Sequence, residues 1–384
     1  VDSRTWTIWP WSVKASSAFT GEKNGTLDSV PFFCASVFGS AIHHAVASRA
    51  GEQTCVMART GFNTLFDREK SRSVTMAATI TGVITALLLL LNTLILIGPM
   101  MLVALLKVIL SGSRARQVCS SVVMAIAETW AEICKAIFAL MTPTQWEIRG
   151  VEDLRGDTSY LVISNHQSWV DIPALIQAFN RKTPYFKFFL KKELIWVPFL
   201  GLAFWALDYP FMKRYSKAFL EKYPHLKGKD LEITRQACEK FQGIPVTVVN
   251  FLEGTRFTAA KHDNQQSPYR HLLKPKAGGV AFVLAALGDN LDAILDVTIL
   301  YPEGAPPGFW DLLCGQVDRV VVDVQTRPLK PALWRSDYQE DPVFRAEMQQ
   351  WVSDLWAQKD ARLVQMAEQE NQGSAQPAKR AGRD

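Results

Sequence analysis

The balance of apolar and polar positions changes twice along the chain. From Ser73 to Leu106 there is no charged residue, and the run contains Leu87–Leu91 and Leu94–Ile97. An apolar stretch longer than about 18 residues predicts a membrane-spanning helix. Gly98-Pro99 is the point where it would divide into a span and a second short helix. A secretory signal is the rival reading, but its apolar region is typically only about 7–15 residues and no small-residue cleavage site closes this one. Residues 118–140 predict an amphipathic helix with only Glu128, Glu132 and Lys135 charged, suited to a membrane surface or to covering a core. Arg68, Lys70 and Arg72 precede the apolar run and Lys107, Arg114 and Arg116 follow it. That balance fits a half-inserted helical pair with both ends in the cytoplasm.

After Pro143 short apolar runs alternate with helical patterns. Tyr160–Ser164 predicts a buried strand, and further strands are expected at 184–190, 204–211, 245–252, 294–301 and 319–325. Helices are expected at 170–179, 231–241 and 277–287. Such alternation predicts an α/β domain with a mostly parallel sheet flanked by helices, over residues 141–330. Asp341-Pro342 supplies an N-cap and a first-turn proline to a last helix, in a segment assigned to 331–368. Residues 369–384 are polar and read as a disordered tail. Residues 1–72 show no sustained period and read as a poorly ordered or spurious extension, with a native start near Met76 as one possibility. Residues 73–140 form the anchoring and amphipathic helices.

Composition adds little to this picture until charge position is considered. The six cysteines form no C-x-x-C pair and none stands at metal-ligand spacing from a histidine, so they read as reduced thiols with neither zinc nor disulfides. A net charge of +5 suits an anionic partner without choosing one. Lys187, Lys191, Lys192, Lys213, Arg214 and Lys217 form one basic group, and Arg256, Lys261, Arg270, Lys274 and Lys276 form another. With no recognition fold beside them, these residues argue for an anionic lipid rather than nucleic acid.

Histidine followed five positions later by aspartate occurs at His166/Asp171 and at His225/Asp230. Chance alone would give about 0.3 such spacings among this many histidines, so the pattern needs context. His225 lies in the polar segment EKYPHLKGKD, where Asp230 would cap a following helix. His166 directly follows the apolar strand, in SNHQSWVDIP. Ligands of open α/β sheets bind at the carboxyl ends of strands. A spacing of five turns about 140° off-face on a helix, so the two side chains meet only if a turn intervenes. Paired, the imidazole would remove a proton from an alcohol, a contribution of about 10²–10⁴-fold, and the carboxylate would fix its tautomer. Alone, the pair is equally consistent with a loop histidine and a helix cap. Phe251–Phe257 (FLEGTRF) also follows an apolar strand; Gly254 permits close backbone approach, and Arg256 and the Thr255 hydroxyl suit phosphate oxygens.

NHQSWVD and FLEGTRF, in that order, closely resemble the first and third motifs of the glycerolipid acyltransferases, the group typified by 1-acyl-glycerol-3-phosphate acyltransferase. KFFLKKELIWVPFLGLAFWALDYPFMKR resembles the second motif and VTILYP (297–302) the fourth, so the likeness covers about residues 140–305. The resemblance implies His166 as base and Asp171 as its partner. It implies an acceptor site built from Asn165, Lys192, Arg214, Glu253, Gly254, Thr255 and Arg256, with Pro302 on the acyl-donor side. It further implies an acyl-CoA or acyl-carrier-protein donor, a lysophospholipid acceptor, no metal, no cofactor and no covalent acyl-enzyme. Lys213 stands where an acid is common in bacterial members, and Tyr301 interrupts the fourth motif. With YPFMKRYSK and LLKPKAGG, these departures look nearer to the lysocardiolipin-acyltransferase-like branch.

The expected product is phosphatidic acid from 1-acyl-sn-glycerol 3-phosphate, with lysocardiolipin or lysophosphatidylglycerol as alternative acceptors. The expected location is a phospholipid membrane (the inner membrane if bacterial), with the catalytic domain facing the cytoplasm. A serine hydrolase is disfavoured because no G-x-S-x-G occurs. A non-enzymatic membrane adaptor on the same fold is the alternative of a different class.

Overall fold

A computed structural model describes residues 61–110, 112–188, 190–197, 200–209, 211–212 and 244–374. The chain enters through α1 (Gly61–Ile109), whose segment Thr75–Ile109 is long and apolar enough to cross a membrane. Only 17% of its most apolar window is buried, which sets it apart from a core helix. Its 35 residues would extend roughly 50 Å, more than the ~30 Å of bilayer hydrocarbon. Pro99 lies inside α1 without dividing it, contrary to the break expected there. Proline forgoes one backbone bond, but the flanking apolar residues keep the rest of the ladder intact. The helix also runs across position 72, the boundary drawn from sequence; residues 1–60 lie outside those described.

α2 (Ser113–Met141) returns along α1 and buries Cys119, Val123, Ala127, Ala131, Cys134 and Phe138 on one stripe. Asn92 on α1 donates to the Trp130 carbonyl at 3.1 Å, and Trp130 Nε1 donates to Thr93 Oγ1 at 3.1 Å, joining the two helices. Val118, Val122, Ile133 and Leu140 on α2 stay exposed. The helix thus covers the core with one face and leaves apolar side chains on another.

Strands β1 (Gln145–Arg149) and β2 (Tyr160–Ser164) follow, then α3 (Asp171–Phe179), β3 (Phe186–Phe188) and β4 (Leu190–Lys191). Next come α4 (Leu200–Ala206), β5 (Phe211–Met212) and β6 (Thr247–Phe251). The chain closes with α5 (Ala259–Gln265), α6 (Ala277–Leu287), β7 (Ala293–Leu300), α7 (Phe309–Leu313), β8 (Arg319–Pro328) and α8 (Pro342–Ser374). The main sheet has the order β1-β8-β7-β2-β6-β3, parallel except for the antiparallel β7–β8 pair. β4 and β5 form a separate parallel pair. The domain is therefore α/β, with a mostly parallel sheet flanked by helices.

β2 is buried at every position, as a central strand covered on both faces must be. Its Val162 joins the core under α2 and α3, while Leu161 and Ile163 join the core under α6 and α8. That is the period-two alternation of a strand.

The structure corrects several element assignments. The segment expected as strand 204–211 is instead the end of α4 followed by β5. The run LGLAFWA has no β-branched residue and favours a helix, and Asp208 breaks it with φ of 55°. The strand expected at 184–190 is divided between β3 and β4. β1 went unread because its alternation is short and polar. α8 begins at Pro342 with Asp341 Oδ1 accepting from Val343 and Phe344 N–H, and it reaches Ser374 rather than 368. Glu370, paired with Arg149 and Arg319 of the sheet, holds those last turns. The helix expected at 231–241 lies outside the described residues.

Candidate active site

β2, β6 and β7 lie side by side in parallel, with Ser164 level with both Phe251 and Val297. The three loops leaving their carboxyl ends therefore meet. From β2 comes 165–170, from β6 comes 252–258 and from β7 comes 301–308.

In the first loop His166 and Asp171 are brought together, with Nδ1 2.8 Å from Asp171 Oδ2. The turn between them is built around that oxygen, which also accepts the N–H groups of Gln167 at 2.7 Å and Ser168 at 3.0 Å. These donors precede α3, so Asp171 gathers its own loop rather than capping the helix it starts. Asp171 is fully buried, whereas the His166 side chain keeps 15% of its surface open. A carboxylate can only accept, so Nδ1 carries the proton and neutral His166 has a bare Nε2. No protein group among the described residues bonds that nitrogen. The imidazole stacks on Phe251 at 4.1 Å and 19°, which fixes the ring plane.

The β6 loop is tied to the first through Glu253. Its Oε1 accepts from His166 N–H at 3.2 Å and its Oε2 from Leu273 N–H at 3.3 Å. Glu253 is fully buried, and burial pushes its carboxyl up to about 8 against those two donors. Phe257 N–H closes the junction by donating to the His166 carbonyl at 2.7 Å. Gly254 takes φ of +67°, and an added Cβ would come 3.3 Å from Lys276 Nζ. The Arg256 guanidinium lies 4.5 Å over the Trp169 ring, so it stands across the His166 loop. Lys261 Nζ donates to Thr255 Oγ1 at 2.9 Å and to the Arg256 carbonyl at 3.2 Å. Arg256, Lys261 and Lys276 thus gather positive charge around the β6 loop, at the carboxyl-end mouth of the sheet.

Two residues expected to contact the acceptor are placed otherwise. Asn165 is fully buried, with Nδ2 donating to the Ile299 carbonyl and Oδ1 accepting from the Ile299 N–H, both at 2.9 Å. It locks β2 to β7 and has no face toward a substrate. Glu253 likewise spends both oxygens on backbone and holds loops instead of a ligand. Gly254, Thr255 and Arg256 remain at the mouth. Lys187, counted with the basic group, is buried and donates to the Leu207 carbonyl at 2.9 Å. Lys192 begins a 3-10 turn, Lys192–Trp196. Arg214 and the rival pair His225 and Asp230 lie outside the described residues.

Sequence reasoning gave no role to Phe251, Trp169 or Tyr301. All three sit inside the quoted motifs, where aromatic character was the available signal. Tyr301 donates to Asp171 Oδ1 at 2.5 Å from a residue 130 positions away, which nothing local reports. No group of His, Cys, Asp and Glu able to hold a metal ion is assembled among the described residues.

Residues 145–302 match the family described as Acyltransferase. It is similar to lysocardiolipin acyltransferase 1 of Gallus gallus, 26% identical over 62% of this chain and 61% of that one. It is also similar to 1-acyl-sn-glycerol-3-phosphate acyltransferase epsilon of Mus musculus, 24% identical over 53% of this chain and 57% of that one. The chain thus spans about three fifths of the length of these curated relatives. Among solved structures, the 1-acyl-sn-glycerophosphate (LPA) acyltransferase of Thermotoga maritima is 20% identical, covering 73% of this chain and 98% of that one at a TM-score of 0.40.

Proposed function

We propose that the chain is a membrane-anchored enzyme that moves a fatty acyl group from acyl-CoA or acyl-carrier protein to the free hydroxyl of a lysophospholipid. The first acceptor to consider is 1-acyl-sn-glycerol 3-phosphate, giving phosphatidic acid. The observation that carries this reading is the His166–Asp171 bond, which leaves Nε2 as the basic atom at a cationic mouth. In the reaction Nε2 takes the hydroxyl proton as the alkoxide oxygen attacks the thioester carbonyl. The tetrahedral intermediate then expels the thiolate, which recovers the proton from the imidazolium. Asp171 stabilises that imidazolium throughout, and neither a metal nor an acyl-enzyme is required. Arg256 and the Thr255 hydroxyl are suited to the acceptor phosphate. The apolar α1 and the exposed side of α2 supply the anchor, with the catalytic domain on the cytoplasmic side.

A lysocardiolipin or lysophosphatidylglycerol acceptor is the second reading, favoured by the likeness to lysocardiolipin acyltransferase 1. Purified full-length protein in nanodiscs, assayed with a panel of lysophospholipids against both donors, separates the two. His166→Ala should lower transfer by about 10²–10⁴-fold with folding intact. Arg256→Ala should chiefly raise the acceptor KM, and an unchanged KM would remove it from the phosphate site. Undiminished transfer by His166→Ala would sink the base assignment.

A further inference from the structure

We propose that Tyr301 is a positioning residue for the catalytic pair, fixing through its phenol the orientation and charge of Asp171. This rests on His166 acting as the base.

The two oxygens of Asp171 are used unequally. Oδ2 receives three N–H donors, from His166 Nδ1, Gln167 and Ser168. Oδ1 receives one, the Tyr301 hydroxyl at 2.5 Å. A carboxylate rotates about a broad two-fold torsion, so without a donor on Oδ1 either oxygen could turn toward the imidazole. Tyr301 reaches that position because β7 runs parallel to β2, and the residue just past Leu300 arrives beside the start of α3. The ring is 2% exposed, and its hydroxyl is also in hydrogen-bond contact with Ser168. Ser168 is itself fixed, donating to the Pro307 carbonyl at 2.5 Å and accepting from Val170 N–H at 3.0 Å. The hydroxyl is thus held between Asp171 and Ser168, and burial beside the Asp171 charge keeps it protonated as a donor.

A donor on Oδ1 draws negative charge away from Oδ2. This moderates the pull of Asp171 on the imidazolium and keeps the released base from being too reluctant to return its proton. Removing the hydroxyl should therefore loosen the aspartate and raise the basicity of His166 together. A buried tyrosine that only filled space would do neither when replaced by phenylalanine.

The test uses full-length protein in nanodiscs with lysophosphatidate and acyl-CoA. Tyr301→Phe should lower kcat about tenfold, the factor one lost hydrogen bond supplies, with both KM values unchanged. The acidic limb of its kcat/KM profile should move to higher pH. Incorporating 3-fluorotyrosine at position 301 keeps the ring nearly the same size and makes it a stronger donor, so that limb should move to lower pH. A folded Tyr301→Phe with the wild-type kcat and acidic limb would overturn the proposal. So would a shift of both variants in the same direction. If Tyr301→Phe fails to fold, an unmoved limb in the fluorinated protein is sufficient to overturn it. His166→Ala in the same assay keeps the two ideas apart: activity there sinks the base itself, while an inactive His166→Ala beside unperturbed Tyr301 variants sinks only the role of Tyr301.

Discussion

The backbone N–H of His166 donates to Oε1 of Glu253 at 3.2 Å, so the loop that carries His166 is held by a side chain from the neighbouring strand's loop. The other oxygen of that carboxyl holds Leu273, and both bonds are out of reach of water. Two loops from adjacent parallel strands are joined by one acid, whose ionisation is consequently coupled to folding.

Glu253 predicts a pH dependence of stability. Unfolded, its carboxyl loses the proton near its ordinary 4.5; folded, burial retains it to about 8. Between those values the folded chain binds the extra proton, so stability falls as pH rises through the window and levels off above it. Glu253→Gln should flatten that slope. Thermal unfolding in nanodiscs from pH 5 to 9 measures it, and an equal slope in the variant would exclude Glu253 as the source.

Asn165 predicts a loss of stability without a loss of acceptor affinity. Replacing it by alanine leaves the Ile299 N–H and carbonyl buried and unpaired. Each such group costs about 1–3 kcal/mol. Asn165→Ala should lower the unfolding midpoint while the acceptor KM of the folded fraction stays the same. A raised KM at full stability would return Asn165 to the substrate.

Lys359 on α8 is fully buried, paired with Asp296 of β7 and donating to the Val297 carbonyl. Lys359→Met strands part of the Asp296 charge inside the protein, leaving only Arg327 against it. Breaking a buried pair on one side costs about 3–5 kcal/mol. The double variant Lys359→Met, Asp296→Asn should regain part of that loss. Chemical denaturation of both variants checks this, and a single-variant cost near zero would contradict it.

Much of the frame is legible because parallel strands read as continuous apolar runs. β2, β6 and β7 announce themselves in YLVIS, TVVNF and AILDVTIL, and α6 follows from an apolar run with two glycines and no strand period. The meeting of His166 and Asp171 was legible too, since the turn between them is contiguous in sequence. What was lost lies in pairings between distant segments. Tyr301 meets Asp171 only through the β2–β7 register, and Glu253 meets Leu273 only once α6 is packed. Asn165 stands beside His166 in sequence, yet its side chain is spent on Ile299 of β7 while that of His166 turns to Asp171. α4 was misread because a short apolar run lacks a period and the absence of β-branched residues went unweighed.

One close approach ties the apolar helix to these loops. Gly82 on α1 leaves no room for a Cβ, which would stand 2.6 Å from Cys314 Sγ and 3.2 Å from the Trp310 ring. Trp310 belongs to α7, three residues beyond Pro307, whose carbonyl receives Ser168. β1, the first strand after the helical pair, pairs with β8, and α8 then seals the opposite face. During synthesis the apolar helix is made before any strand, while the sheet cannot close until β8 has been made as far as Pro328. The loops that carry His166 and Asp171 are therefore assembled against a helix made before them, so the placement of that helix fixes where the site is formed.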